Sequence, residues 1–420
     1  MEKKAYGIAA DIGTTTLACA LTDERGQVLS GISAPNKCAV FGADVMSRIE
    51  AATGGHLPKL KELLRAQLTA LFAELISGKD ISDGAVASIT LAGNTAMLHM
   101  LRGYDCSGLG VYPYTPVTLE SEEPGVKEIL APDAPVSGLT DARVCIFPGI
   151  SGFVGADIVS GLYALDIPFD DLPRPLLFVD LGTNGEMALV RGRGEDARIA
   201  VCSTAAGPVF EGAGVRFGMP AGPGAISEVY IQTRGTDRSG ADVRCRVING
   251  GTARGICGSG ILEAVSEMAR NHIIDSTGLL SEPWFTDGMN ISGDVRIYQE
   301  DIRAVQLAKA AIRAGTESLP LSCGMRCTDA AIVLVAGAFG RAVSFSRLAP
   351  LGMFNKAILG RCRTVGNTSL QGAVRLAAKI ACGHKKEAMS RIRLIADRSE
   401  EVILADRQDF KALYMSMMNF

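Results

Sequence analysis

Leu177–Val190 reads LFVDLGTNGEMALV, and Gly7–Leu21 reads GIAADIGTTTLACAL. Each is an apolar run, then Asp-aliphatic-Gly-Thr, then a second apolar run. Apolar runs flanking a short glycine-bearing turn spell a β-hairpin. Asp11 and Asp180 head the two turns. One chain that builds the same turn twice is a duplicated α/β protein with a cleft expected between its halves.

The flanking sequence agrees with duplication. Tyr6–Ala10, Leu17–Leu21 and Gln27–Ser30 read as three strands, and Leu60–Leu75 reads as an amphipathic helix behind Pro58. Ala87–Leu91 is a short strand before Gly93-Asn94 and a helix running to Met100. In the second half Leu176–Val179, Glu186–Val190 and Arg198–Cys202 read as strands. Gly258–Ala269, Asp301–Leu319 and Leu370–Cys382 read as helices, and Ala331–Ala336 as a buried strand. LAGNTAM (Leu91–Met97) is echoed by VGNTSLQGA (Val365–Ala373), which we assign one to each half. Pro168, Pro173 and Pro175 mark a boundary, giving domains 1–165 and 166–420. Residues 107–145 show no period and read as an excursion, a flap or an interface.

Composition narrows the class. The 420 residues are 47% hydrophobic and 21% charged, with a formal net charge of −3 and no basic stripe, which excludes a general nucleic-acid binder. No apolar run is long enough to span a membrane. The basic-then-apolar start is cut by Asp11 and reads as a first strand, leaving no room for a leader or an upstream domain. The 11 cysteines are scattered without a CxxC pair, as expected of free thiols in a reducing cytoplasm and not of a disulfide framework or an iron–sulfur cluster.

The turns carry chemistry. Gly13 and Gly182 let a ligand approach the backbone, and Thr14, Thr15, Thr16, Thr183 and Asn184 offer neutral hydrogen bonds. Asp11 and Asp180 are oxygen ligands suited to a hydrated Mg2+. Either turn alone is adequately explained as a good hairpin turn. Two in matching order favour a polyphosphate gripped from both sides.

With VLVAGAFG (Val333–Gly340), the two hairpins resemble the phosphate-1, phosphate-2 and adenosine motifs of the acetate and sugar kinase/Hsp70/actin superfamily. That resemblance implies a duplicated ribonuclease-H-like, two-lobed ATPase fold. It implies that Asp11–Thr16 and Asp180–Gly185, including Gly185, cradle the phosphates of Mg-ATP, with Gly337 and Gly340 against the adenosine. A narrower likeness lies in GADVMSRI (Gly42–Ile49), AGNTAMLH (Ala92–His99), PYTP (Pro113–Pro116), GFVGADI (Gly152–Ile158), STAAGPVFEGA (Ser203–Ala213), GICGSG (Gly255–Gly260) and DIRAVQLAKAAIRAG (Asp301–Gly315). These resemble, over the whole chain, the ATPase domain of reductive activators of corrinoid proteins. The resemblance implies ATP-dependent reduction of Co(II) to Co(I) on a corrinoid-binding methyl-transfer protein, and a homodimer. Typical members carry a ferredoxin-like iron–sulfur domain that this sequence lacks, so a separate ferredoxin or flavodoxin is the expected donor. No Asp-x-His-x-x-Gly corrinoid motif occurs, so the corrinoid is expected on the partner.

Other residues have two readings. Asp157 orients the attacking water or is a helix-surface carboxylate; Glu186 does the same work or is a cross-strand charge. Gly207 meets a phosphate or ribose, or is a structural turn, while Glu211 caps a helix or binds a water on Mg2+. Gly258, Ser259 and Gly260 contact nucleotide at a helix start or pack that helix closely. Cys257 reads as packing, His99 as a satisfied histidine, and Lys309 with Arg313 as a solvated basic face. Within the same superfamily, an activator of 2-hydroxyacyl-CoA dehydratases would need paired cysteines. A small-molecule kinase and a non-catalytic ATP-sensing partner are the remaining alternatives.

Overall fold

The computed structural model describes residues 5–79, 81–82, 84–132, 138–139, 141–169, 172, 174–234, 240–337 and 344–420. The chain divides into two compact units. The first comprises Met1–Asp171, Ala197–Ile199 and Asn367–Glu401, and the second Leu172–Asp196, Ala200–Gly366 and Val402–Phe420.

The first unit is built on a five-stranded sheet. β1 (Tyr6–Ile12), β2 (Thr16–Asp23) and β3 (Val28–Pro35) form an antiparallel meander, and β4 (Val86–Gly93) and β5 (Arg143–Ile146) extend it in parallel, in the order β3-β2-β1-β4-β5. β1 and β4 are the central strands, and Ile8, Ala9, Ala10, Ile12, Ile89 and Leu91 on them are fully buried. Helix Leu57–Ile76 buries Leu60, Leu64, Leu68, Leu71, Phe72 and Leu75 at helical spacing, with proline in its first turn. Helix Thr368–Ala381 lies on the sheet through small residues. Thr90 Oγ1 donates to Ala373 O at 2.7 Å, and a Cβ on Gly7 would stand 2.7 Å from the Ala377 methyl.

The second unit repeats that plan. β6 (Leu176–Leu181), β7 (Gly185–Arg191) and β8 (Arg198–Thr204) are neighbours as β1, β2 and β3 are. Between β8 and the strands that complete the sheet come β9 (Ala225–Arg234), β10 (Gly240–Val247), β11 (Gly255–Ile256), and the hairpin β12 (Met289–Ser292) with β13 (Val295–Ile297). β14 (Ile332–Gly337) then runs parallel to β6, and β15 (Cys362–Gly366) parallel to β14. Five strands of the second, six-stranded sheet thus follow the order of the first: third, second, first, fourth, fifth.

Equivalent glycines end the fourth strands. Gly93 pairs with Ile12 and Gly337 with Leu181, both at positive φ (154° and 107°). A Cβ would stand 2.6 Å from Ile12 O at Gly93 and 2.2 Å from Leu181 O at Gly337, so only glycine fits.

Two expectations change. A single cut at 165/166 misses the return of the chain, because Asn367–Glu401 packs in the first unit. The Gly-Asn-Thr echo is therefore not one copy per half: Asn94 and Asn367 both cap helices of the first unit. The 107–145 excursion holds two one-turn helices, Ser107–Gly110 and Val126–Ile129, among its described residues. Among the described residues, no helix is long and apolar enough to cross a membrane.

Candidate functional site

In the first unit, Ile12 and Leu17 are the last ladder partners, so four residues, Gly13–Thr16, make the turn. Gly13 N donates to Thr16 O at 3.0 Å and closes it. Asn36 braces its inner side, with Nδ2 donating to Gly13 O at 2.8 Å and N donating to Thr15 O at 2.8 Å. Thr14 is buried, and its Oγ1 accepts from Asn94 Nδ2 at 2.8 Å.

Asp11 lies at the end of β1, half-buried. Its two oxygens accept from Asn367 Nδ2 and Ser369 Oγ, each at 2.8 Å. Burial raises its pKa, and these two hydrogen bonds oppose the rise. Asp157 sits in the first turn of helix Ala156–Ala164, where Oδ1 accepts from Ile158 N at 2.9 Å. Burial first, and then the charge on Asp11, push the Asp157 carboxyl up to about 7. Gly155 lets this helix start against the neighbouring backbone, since a Cβ there would stand 2.6 Å from Asn94 Cα. Asp157 is half-buried, and its carboxyl feels the charge of Asp11.

In the second unit, Leu181 and Gly185 are the last ladder partners, leaving Gly182, Thr183 and Asn184 as a turn one residue shorter. Gly182 N donates to Asn184 O at 3.1 Å. Thr183 N and Thr183 Oγ1 both donate to Glu211 Oε1, at 2.8 and 2.9 Å. Gly207 borders this tip: its N donates to Thr183 O at 2.9 Å, its φ is 80°, and the space where its Cβ would lie is empty. Asp180 and Glu186 are direct cross-strand partners, so both carboxylates leave the same face of the sheet. Glu186 is buried.

Several expected contact residues are filled by protein. A Cβ on Gly185 would stand 2.4 Å from Ile312 Cδ1, one on Gly258 1.8 Å from Phe210 O, and one on Gly260 2.2 Å from Ile226 O. Ser259 Oγ donates to Ser227 O at 3.1 Å. These residues set the close seating of helix Gly258–Arg270 beside the Pro208–Glu211 turn that carries Glu211. Cys257 is buried, with Sγ 3.3 Å from Ile226 O. Gly340 lies outside the described residues.

Lys309 departs from its expected solvated face. It is 1% exposed, its Nζ donates to Asn419 O and stands 4.8 Å from the centre of the Phe420 ring, and burial lowers its pKa to about 8. The last residues cover the helix where its pattern alone promised solvent. His99 is a satisfied core residue: Nδ1 donates to Thr95 O at 2.8 Å and Nε2 accepts from Val117 N at 3.1 Å. Two partners escaped sequence reasoning as members of the site, Asn367 and Ser369; Glu211 and Thr183 were each singled out, but not their pairing. The helix-capping signature Gly-Asn-Thr-Ser was visible, but its target was not.

Residues 174–420 match the family described as the C-terminal domain of RACo, the ASKHA domain, and residues 6–169 match the RACo middle region. Corrinoid activation enzyme RamQ of Eubacterium limosum is 32% identical over 399 residues, which cover 89% of this chain and 64% of RamQ. This chain therefore spans less than two thirds of that relative's length. A Co(II) methylated amine-specific corrinoid protein reductase of Methanosarcina barkeri is 25% identical over 99% of this chain and 77% of the relative. The solved structure of a reductive activator for corrinoid, iron-sulfur protein superposes with a TM-score of 0.87 at 28% identity, covering 100% of this chain and 67% of that one. The fold is the two-lobed one of actin, Hsp70 and the sugar kinases, as the repeated turn implied. The chain belongs to the RACo family, of which it carries the middle region and the C-terminal ASKHA domain.

Proposed function

We propose that this chain is a cytoplasmic ATPase that activates a corrinoid protein. ATP binding and hydrolysis promote transfer of one electron to Co(II) on a partner methyl-transfer protein, giving Co(I). The electron comes from a separate low-potential donor, a ferredoxin or flavodoxin. The observation that supports the ATPase half is the repeated glycine–threonine turn at the end of β1 and β6, with Asp11 beside the first copy held by Asn367 Nδ2 and Ser369 Oγ. The corrinoid half rests on likeness to RamQ and to the Methanosarcina reductase, whose names state that activity.

The residues fit Mg2+. That ion takes oxygen ligands and keeps several waters, so it is held by one or two carboxylates and the substrate phosphates. Asp11 and Asp180 supply such carboxylates. Among the described residues no group of three or more His, Cys, Asp or Glu is placed to hold a metal ion. When bound, the ion supplies charge neutralisation on the phosphate oxygens. Thr14, Thr15, Thr16, Thr183 and Asn184, with the turn N–H groups, orient the phosphates in this reading. Asp157, poised near neutrality, takes the proton of the attacking water. Glu186 lies beside Asp180 and holds water in place there.

The energetic demand is modest per step but real. A coupling free energy of about 1–3 kcal/mol shifts a one-electron couple by about 40–130 mV. Larger shifts require that the partner's cobalt coordination be remodelled as well. The test is Mg-dependent phosphate release, with product analysis. Phosphate without a phosphorylated product supports the reading; a phosphorylated small molecule makes the chain a kinase, and tight ATP binding without turnover makes it a sensor.

A further inference from the structure

We propose that Asn367 and Ser369 are positioning residues of the phosphate-1 site: they fix the Asp11 carboxylate in the orientation from which it receives the hydrated metal. The inference rests on the Mg-ATP reading above and adds two residues from the far end of the sequence. Asn367 Nδ2 donates to Oδ2 and Ser369 Oγ donates to Oδ1, each at 2.8 Å. A carboxylate has about four lone-pair sites. One donor on each oxygen stops rotation about the carboxyl bond and leaves one site per oxygen for the waters of a cation.

The clamp stands on a rigid element. Asn367 caps helix Thr368–Ala381, with Oδ1 accepting from Leu370 N at 2.8 Å. The next turns are fastened to the sheet that carries Asp11: Thr90 Oγ1 donates to Ala373 O at 2.7 Å, and Ser88 Oγ donates to Ala377 O at 3.1 Å. Ser160 Oγ donates to Ser369 O at 2.7 Å, and a Cβ on Gly372 would stand 2.0 Å from Ser160 O. Ser160 is on the helix whose first turn holds Asp157. The two helices that flank Asp11 are thus locked together where they cross, and neither donor can drift independently of the carboxylates. Sites held to within a fraction of an ångström are built this way, on packed elements and not on loops.

The bland alternative is that the contacts only stabilise the helix end. Two variants separate these roles. Asn367→Ser keeps a good N-cap but is too short to donate to Asp11. Ser369→Thr keeps the hydroxyl, and Ser369→Ala removes it. The probe is Mn2+ in the presence of ADP, with free ion counted by its EPR signal, alongside ADP affinity in EDTA and thermal melting of each full-length variant. Loss of one hydrogen bond to an ionised carboxylate gives about a tenfold weaker Mn2+ affinity. We expect that loss in Asn367→Ser and in Ser369→Ala, near-wild-type affinity in Ser369→Thr, and unchanged ADP affinity in EDTA. Should Ser369→Ala unfold, Asn367→Ser decides. Wild-type Mn2+ affinity in the folded donor-deleted variants overturns the proposal while leaving the nucleotide reading intact. Failure of the wild-type protein itself to bind Mn-ADP overturns both.

Discussion

The turns at Asp11 and Asp180 share a motif and a place in their sheets, yet their surroundings are opposite. At the first, a carboxylate is held by neutral donors from a distant helix, and its charge helps to raise the pKa of a second carboxylate, Asp157. At the second, the tip donors of Thr183 are occupied by a carboxylate, that of Glu211, while Asp180 has Glu186 beside it on the sheet. A repeated motif specifies backbone shape. The chemistry of each copy is set by what non-local elements bring to it.

The largest test asks whether the two copies are both needed. Asp11→Ala and Asp180→Ala should each lower Mg-dependent ATP hydrolysis on the order of 1,000-fold, with unchanged far-ultraviolet circular dichroism. Wild-type turnover in either variant would reduce that copy to a structural turn.

Next comes Asp157, which belongs to the first copy alone. Asp157→Asn should cost about 100-fold in turnover. It also has a stability signature in metal-free protein. The folded value is raised from 3.8 to about 7, so between those limits the folded protein keeps a proton that the unfolded chain has released. The stabilisation is complete below about 3.8 and is lost as pH rises through 7. Urea melts should therefore show Asp157→Asn gaining on wild type between pH 4.5 and pH 8. A constant gap would mean that Asp157 is not a strained carboxylate.

The second copy has its own probe. Glu211 Oε1 accepts from Thr183 N and Oγ1, the donors that the proposed function gives to a phosphate oxygen. Removing it in Glu211→Ala should tighten ADP binding in EDTA by about tenfold. Weaker binding would show that Glu211 supports the nucleotide instead of competing with it. An effect on stability alone is expected at Lys309, also in the second unit. Burial lowers its pKa from 10.5 to about 8, so the folded state sheds its proton first. Relative to Lys309→Met, the wild type should gain stability as pH rises from 8 to 10.5, and a flat difference would contradict the buried placement.

These contrasts follow what the sequence could show. Strand runs and turn residues are local signals, and both hairpins, the central strands and the buried Ala331–Ala336 run were readable from them. Sheet order was not read from the sequence; the structure shows it to repeat between the two copies over five strands. The return of Asn367–Glu401 to the first unit was not readable, because no local pattern says which sheet a helix covers. Asn367 was noticed for its Gly-Asn-Thr echo but assigned to the wrong half, since its Asp11 partner lies 356 residues away. Gly258 and Gly260 carried two readings in the sequence, because close approach to a nucleotide and close approach to backbone demand the same residue, and the structure shows the backbone contacts. Lys309 looked solvated because periodicity is blind to a tail that folds back over the helix.

The most direct measurement is anaerobic and optical. A candidate corrinoid protein is poised as Co(II) with a low-potential electron donor and this chain, and Co(I) absorbance is followed with and without Mg-ATP. Co(I) is expected only when Mg-ATP is present, and none with the Asp11→Ala chain. Co(I) formation independent of ATP, or its absence across a panel of corrinoid partners and donors with an active ATPase, would contradict it.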